Sequence, residues 1–195
     1  MQLLIATRNK HKLDEIRAIF LQPDLELVCA LNYPNAPNVV EDGDTFEANA
    51  IKKAVTLAKA TGLWSLADDS GLEVDALDGL PGLHSARFVA QPDATDADRR
   101  QALLEHLRGK PRPWLARFRC WVAVVTPDGE THLTEGVCQG EIVPEERGQN
   151  GFGYDPIFYL PELGKTMAEL SMDEKNRLSH RARAVRAAMP LLRKF

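Results

Sequence analysis

The sequence has few cysteines, no long apolar run and no excess of positive charge, and each shortage argues against a class of protein. Its three cysteines, Cys29, Cys120 and Cys138, form no CxxC pair, which fits reduced thiols in a cytoplasm better than a disulfide framework. No apolar stretch approaches the roughly 20 residues that a membrane-spanning helix needs. The formal net charge is -4, so no global basic field attracts nucleic acid or a membrane surface. We expect a cytoplasmic protein with no nucleic-acid or membrane partner.

Signature motifs of several common enzyme classes are also missing. The chain has no H-E-x-x-H, G-x-S-x-G or GxGxxG motif and no zinc-type spacing of Cys and His. Gly164-Lys165-Thr166 looks like the end of a P-loop, but Tyr159 occupies the position of the required first glycine. Kinase or GTPase chemistry is therefore not expected from this segment.

Helical and strand patterns alternate in the first half of the chain, and a long hairpin follows later. Asp128-Gly129 is the hairpin signal, and Asp44 has a spacing close to that of a capping box. This order favours an α/β fold with a mixed sheet, in one domain spanning residues 1–195. Strands are predicted at 2–6, 25–30, 64–67, 72–77, 115–126 and 131–139, and helices at 10–20, 44–60, 95–109 and from 171 onward with a possible break and a bend or end near Pro190.

The segment Ala67-Asp68-Asp69-Ser70-Gly71 is the most informative stretch of the chain. We predict that the strand at 64–67 ends there in a turn, which places two carboxylates at the rim of a sheet, where α/β proteins bind ligands. Like charges this close repel, so the pair should bind a divalent cation or contain one carboxyl group of raised pKa. The alternative is a solvated loop without a function.

Two further clusters suit phosphate chemistry. The segment from Thr7 to Lys12 joins a strand to a helix N-terminus, which attracts phosphate through free N–H groups and the helix dipole. The alternative is that Asn9 only caps the helix. The acidic run from Glu41 to Asp44 is followed by Lys52 and Lys53, so it could ligate a metal beside its phosphates. An acidic helix start with exposed lysines is the simpler explanation.

Two clusters near the end of the chain suit a nucleoside. In the segment from Gly151 to Pro156, the glycines allow close backbone approach and Phe152 could stack on a planar base. Lys175 and the run Ser179-His180-Arg181 supply donors for an acceptor such as a purine 6-keto oxygen. The alternatives are a Gly-rich turn with a core phenylalanine and a solvated basic helix face.

Together, these segments resemble the inosine/xanthosine triphosphate pyrophosphatase family, which removes noncanonical purine nucleoside triphosphates from the nucleotide pool. The resemblance covers nearly the whole chain. Its motifs are Thr7-Arg8-Asn9 with Lys12, Thr45-Phe46-Glu47 with Asn49-Ala50, Ala67-Asp68-Asp69-Ser70-Gly71-Leu72, Leu80-Pro81-Gly82 with Ser85-Ala86-Arg87, Gly151-Phe152-Gly153-Tyr154-Asp155-Pro156, and Ser179-His180-Arg181.

The resemblance implies an elongated mixed β-sheet flanked by helices, with two lobes and the active site in the cleft between them. It also implies a homodimer and Mg²⁺-dependent hydrolysis of ITP, dITP or XTP to the monophosphate and pyrophosphate. Rival hypotheses are a pyrophosphatase for modified pyrimidine nucleotides and a non-catalytic nucleotide-binding protein.

The resemblance also assigns roles to individual residues. Asp69 is expected to bind metal and activate water, Asp68 to support it, and Glu41 to be the second metal carboxylate. The implied substrate-binding residues are Thr7, Arg8, Asn9, Lys10, His11, Lys12, Lys53 and Ser70 on the triphosphate side, and Phe152, Gly153, Tyr154, Asp155, Lys175, His180 and Arg181 around the nucleoside.

Overall fold

The structure is a computed structural model that describes residues 2–20 and 25–194. Within these residues, seven strands form one mixed sheet in the order β2-β1-β3-β4-β5-β6-β7. β1 is parallel to β2 and β3, whereas β6 is antiparallel to β5 and β7. The predicted α/β class with a mixed sheet is confirmed. The strands are β1 Gln2–Ile5, β2 Glu26–Cys29, β3 Trp64–Val74, β4 Trp114–Val125, β5 Thr131–Ile142, β6 Phe158–Leu160 and β7 Lys165–Thr166, and the helices are α1 Lys10–Ile19, α2 Phe46–Thr61, α3 Asp96–Leu107, α4 Met172–Leu178 and α5 His180–Ala188.

Capping residues fix the helix boundaries, and one predicted boundary is wrong. The N-cap of α2 is Thr45 rather than Asp44, because the Thr45 hydroxyl accepts from the Ala48 N–H at 3.1 Å. Gly62 ends this helix in a left-handed conformation, as predicted. The predicted break near the C-terminus falls at Ser179, between α4 and α5. α5 ends two residues before Pro190, which lies in a following 3₁₀ segment.

The chain folds into two compact units that are interleaved in sequence. The first comprises residues 1–70, 120–136 and 180–195, and the second comprises 71–119 and 137–179. The boundary therefore crosses β3, β4 and β5.

In the first unit, helices cover both faces of the sheet. Side chains of a strand alternate between the faces, so Leu3 and Ile5 pack with α1 and α5, whereas Leu4 packs with α2. In β3, Leu66 belongs to the α1/α5 layer and Ala67 to the α2 layer. Each layer is a separate apolar cluster on one side of the same sheet.

The second unit has a single apolar cluster. It joins the later part of β3 and the first part of β4 to α3, through Leu72, Leu103 and Phe118 among others. Tyr154 and Phe158 belong to the same cluster, so the segment that follows the Gly-rich loop is anchored in the core.

The turn predicted at Asp68 to Gly71 is wrong. β3 runs without interruption from Trp64 to Val74, and nearly all of it is buried. Turn propensity in Ser70-Gly71 is overridden because both carboxylates find partners inside the fold, which removes the need for solvent. The two aspartates therefore lie in the middle of a strand and not at a turn.

Candidate active site

Strand pairing brings the N-terminal turn beside the acidic pair. β1 is parallel to β3, with Ile5 opposite Leu66, and the Ala6 N–H donates to the Leu66 carbonyl at 2.7 Å. The chain leaves β1 at its carboxyl end, which is where α/β sheets usually bind ligands. The Lys12 ammonium reaches the Asp68 Oδ2 at 3.0 Å.

The turn itself combines a helix cap with an open surface. Asn9 caps α1, since its side-chain oxygen accepts from the Lys12 N–H at 3.2 Å, and the Thr7 hydroxyl accepts from the Asn9 N–H at 3.1 Å. Arg8 donates to the Ala36 carbonyl at 3.3 Å. The side chains of residues 8–11 are exposed. The capping interpretation of Asn9 is correct, but Lys12 is not merely solvated, because it pairs with a buried carboxylate.

Asp68 lies on the α1/α5 face of the sheet, among cations. Its Oδ2 accepts from the Arg181 Nε at 3.1 Å in addition to Lys12, and the residue is 2% exposed. Burial alone would raise the pKa of Asp68, but the charges of Lys12, Arg181 and Lys53 hold it far below its usual range. Asp68 is therefore an ionised structural anion at neutral pH.

Asp69 lies on the opposite face, toward α2. Its Oδ2 accepts from the Asn49 amide at 3.0 Å, and its Oδ1 is 3.5 Å from the Lys53 ammonium. Burial raises the pKa of Asp69, although Lys53 opposes the shift. Opposite faces give the neighbouring carboxylates opposite pKa shifts, so of the two, Asp69 is the better acceptor for a proton.

Lys53 links Asp69 to the acidic loop before α2. It forms an ion pair with Glu41 and donates to the Asp68 backbone carbonyl at 2.7 Å. Burial would lower the pKa of Lys53, but Asp69, Asp68 and Glu41 raise it, so it stays charged. Burial would also raise the pKa of Glu41, and Lys53 holds it below its usual value.

The carboxylates of this cluster are candidate ligands for a divalent cation. Among the described residues, no group of three or more His, Cys, Asp or Glu side chains could hold a metal ion by itself. Asp69 and Glu41 are nevertheless two carboxylates that share one ammonium. Two carboxylates suit Mg²⁺, which usually keeps several waters and takes its other ligands from substrate phosphates. The residues present fit Mg²⁺ bound together with a phosphate chain.

Arg181 is placed at the start of α5, deep in the first unit and only 1% exposed. Besides Asp68, its guanidinium pairs with Glu15 and donates to the Ser70 hydroxyl at 2.9 Å. All three nitrogens therefore have protein partners. His180 precedes it and is also buried.

The aromatic cluster lies in the second unit. The Asp155 Oδ2 accepts from the Phe152 N–H at 2.9 Å and from the Lys175 ammonium at 2.5 Å. The same ammonium stands 5.1 Å from the centre of the Phe152 ring. The Tyr154 hydroxyl donates to the Ser85 carbonyl at 2.9 Å, and burial raises its pKa. Phe152, Gly153, Tyr154, Asp155 and Lys175 are thus brought together, whereas His180 and Arg181 belong to the first unit.

Two residues that organise the site had no role assigned from the sequence, although Asn49 is part of the motif that follows Thr45. Asn49 bridges the acidic loop and Asp69, since its Oδ1 accepts from the Gly43 N–H at 2.8 Å. Its position one helical turn before Lys53 was the available signal. Glu15 follows Lys12 by three residues in α1, but its partner Arg181 lies 166 residues away. No local spacing could have indicated that ion pair.

Fold and site together define an α/β protein that presents lysines and carboxylates from neighbouring strands and helices, a residue set suited to phosphate esters and anhydrides. The Ham1 family model matches residues 3–191 of the chain. The protein therefore belongs to the Ham1 family.

Relatives of known name and structure agree with this assignment. The chain is 47% identical to a dITP/XTP pyrophosphatase of Desulforamulus reducens, over 100% of this chain and 97% of that protein. It is 48% identical to a dITP/XTP pyrophosphatase of Shouchella clausii, over 95% and 93%. The solved structure of a HAM1 protein from Coxiella burnetii matches with a TM-score of 0.90, 39% identity and full coverage of both chains.

Proposed function

We propose that this protein hydrolyses noncanonical purine nucleoside triphosphates, namely ITP, dITP and XTP, to the monophosphate and pyrophosphate. The observation that carries the proposal is the Glu41–Lys53–Asp69 cluster at the carboxyl end of β1, in a chain of the Ham1 family. Removal of such nucleotides from the nucleotide pool is the corresponding role.

Asp69 is the residue that orients or deprotonates the attacking water. Burial raises its pKa, which makes it a better base than an ordinary aspartate. Asn49 holds one of its carboxylate oxygens, so the other is directed toward Lys53. Asp69 and Glu41 would hold Mg²⁺, which would supply charge neutralisation on the phosphate oxygens. In-line attack on the α-phosphorus breaks the anhydride bond, and pyrophosphate leaves.

Lysines stabilise the charge that develops on the leaving pyrophosphate. Lys53 and Lys12 both carry positive charge beside the carboxylates, and preorganised cations of this kind need no reorganisation during the reaction. Asp68 and Arg181 keep Lys12 and Ser70 in place. The exposed turn formed by Arg8, Asn9, Lys10 and His11, together with Thr7, binds the remaining phosphate oxygens.

The nucleoside is recognised by the aromatic loop that carries Phe152. Phe152 stacks on the purine, and the Lys175 ammonium beside it donates to the 6-keto oxygen. Gly153, Tyr154 and Asp155 hold this loop in place, whereas Arg181, whose three nitrogens already have protein partners, supports the phosphate-binding residues. Adenine would present an amino group to these donors, which gives discrimination against ATP.

A cytoplasmic homodimer completes the proposal. None of the three buried cysteines, Cys29, Cys120 and Cys138, forms a disulfide, which is consistent with a reducing compartment. No helix in the described part of the chain is long and apolar enough to span a bilayer. Analytical ultracentrifugation of the purified chain tests the oligomeric state.

The proposed activity is tested by pyrophosphate release from a nucleotide panel. We expect rapid release from dITP, ITP and XTP with Mg²⁺, slow release from dATP and dUTP, and loss of activity with EDTA that added Mg²⁺ restores. A preference for dUTP would indicate a pyrimidine enzyme instead. Binding of dITP without any release of pyrophosphate would refute a catalytic role.

A further inference from the structure

The loop that carries Phe152 has little conformational restraint of its own. Gly151 and Gly153 flank the aromatic residue, with φ of 74° and 62°. Glycine adopts such left-handed conformations easily, but it also leaves the chain free to adopt others. A stacking aromatic between two glycines therefore needs anchors elsewhere if it is to stay in one position.

One anchor is internal to the loop and its neighbour α4. Asp155 accepts from the Phe152 N–H and from Lys175 on the same carboxylate oxygen. The approach is so close that a Cβ at Gly151 would stand 2.0 Å from this oxygen. This anchor fixes the start of the loop, on the N-terminal side of the ring.

The second anchor comes from α3, outside the motif. The Asp96 Oδ2 accepts from the Gly153 N–H at 2.7 Å, and the Arg100 Nη1 donates to the Gly153 carbonyl at 2.9 Å. Asp96 and Arg100 are one helical turn apart, so both reach the same residue from one helix face. The backbone of Gly153 is thus held at its donor and at its acceptor.

Further contacts hold the two α3 side chains themselves. Arg100 donates from Nε and Nη2 to the two oxygens of Glu146, each at 2.9 Å, which leaves Nη1 directed at the loop. The other Asp96 oxygen accepts from Arg99 at 2.8 Å. Thr95 and Asp98 form a capping box that fixes this first turn of α3.

The ion pairs of Asp96 and Glu146 contribute little to the stability of the fold. The Asp96 side chain is 43% exposed and that of Glu146 46% exposed, and ion pairs in such positions contribute little to folding. Their common target is the glycine beside the stacking ring. These contacts are better explained by a role in positioning Phe152 than by stabilisation of the fold.

We propose that Asp96 and Arg100 are positioning residues for base recognition: they clamp the Gly153 backbone so that Phe152 and Lys175 keep one arrangement. This inference rests on the proposed function, in which those two residues face the purine. It predicts that loss of the clamp weakens binding of the base without affecting binding of the phosphates.

The test compares two probes on four variants. Inosine monophosphate carries the base, and inorganic pyrophosphate does not. Calorimetric dissociation constants are measured for both with the full-length wild type, Asp96→Ala, Arg100→Met, the conservative Asp96→Asn, and Gln101→Ala as a matched control. Gln101 is the next α3 residue and is exposed, with its side chain on Glu105.

We expect inosine monophosphate to bind about tenfold more weakly to Asp96→Ala and Arg100→Met, the effect of one charge-assisted hydrogen bond. Pyrophosphate affinity should stay within about twofold. Asp96→Asn keeps an acceptor oxygen and should recover most of the affinity, and Gln101→Ala should match wild type. In turnover assays with dITP, the Michaelis constant should rise more than kcat falls.

Two results overturn the proposal. One is unchanged affinity for inosine monophosphate in both clamp variants, and the other is an equal loss for the two probes, which indicates a general structural effect. Failure of the proposed function has a different signature: wild type then binds inosine monophosphate but releases no pyrophosphate from dITP. Absence of any binding of inosine monophosphate to wild type overturns the clamp proposal alone, and pyrophosphate release from dITP still decides the proposed function.

Discussion

Replacement by asparagine is expected to destabilise the protein strongly at Asp68 and to have little effect on stability at Asp69. Asp68→Asn removes the counter-charge of Lys12 and Arg181 inside the fold, and breaking a buried ion pair of this kind costs about 3–5 kcal/mol. Arg181 keeps Glu15, so the lower end, about 3 kcal/mol, is the better estimate. Asp69→Asn instead replaces a carboxyl group whose raised pKa shows that its charged form is disfavoured by burial.

These magnitudes translate into different melting temperatures. For a chain of this size, about 3 kcal/mol corresponds to a decrease of about 6–12 °C for Asp68→Asn. Asp69→Asn should stay within about 1 kcal/mol of wild type, or about 2–4 °C, while its turnover of dITP falls at least about a hundredfold. Thermal unfolding by circular dichroism at pH 7, with steady-state rates on the same preparations, measures both quantities.

The result that refutes this reasoning is a similar stability loss in the two variants. Equal destabilisation would mean that the strand does not separate the carboxylates into different environments. Asp68→Glu is a useful companion variant, because it keeps the charge and changes only its position. It should be less destabilised than Asp68→Asn.

Two other predictions concern Gly136 and Glu73. Gly136→Ala should destabilise the protein by about 3 kcal/mol and reduce turnover, because a Cβ there would lie 2.1 Å from the His180 carbonyl oxygen and displace α5. Urea unfolding measures the stability and steady-state kinetics the kcat. A variant with the stability and kcat of wild type contradicts the prediction. Burial would raise the pKa of Glu73, but hydrogen bonds from Arg119 and Arg117 hold it below its usual value. The ionised Glu73 therefore stabilises the fold above the unfolded pKa of about 4.3, and this stabilisation is lost as pH falls through the folded pKa. The stability difference between wild type and Glu73→Gln should therefore be largest at pH 7 and shrink in acid, and a difference that grows in acid contradicts it.

Structural features determined by local sequence could be predicted, whereas features that depend on residues distant in the sequence could not. The β1–α1 turn and the Asp128-Gly129 hairpin follow from local turn and cap chemistry, and both are found. The strand around Asp68 was predicted too short, because Ser70 and Gly71 have turn propensity. The cations that allow the strand to continue come from 56 residues earlier, at Lys12, and 113 residues later, at Arg181.

The pairing of roles at Asp68 and Asp69 follows from strand geometry more than from residue type. A turn would have placed both carboxylates in one solvated region. Their mutual repulsion would then raise the pKa of one of them, but nothing would determine which one. A strand sends successive side chains to opposite faces, so Asp68 enters the α1/α5 layer and Asp69 the α2 layer. One residue step therefore separates a carboxylate that anchors cations from one that is suited to accept a proton. Both lie on β3, an inner strand of the sheet that pairs with β1 up to Leu66, and a strand supported in this way suits an accurately placed catalytic group.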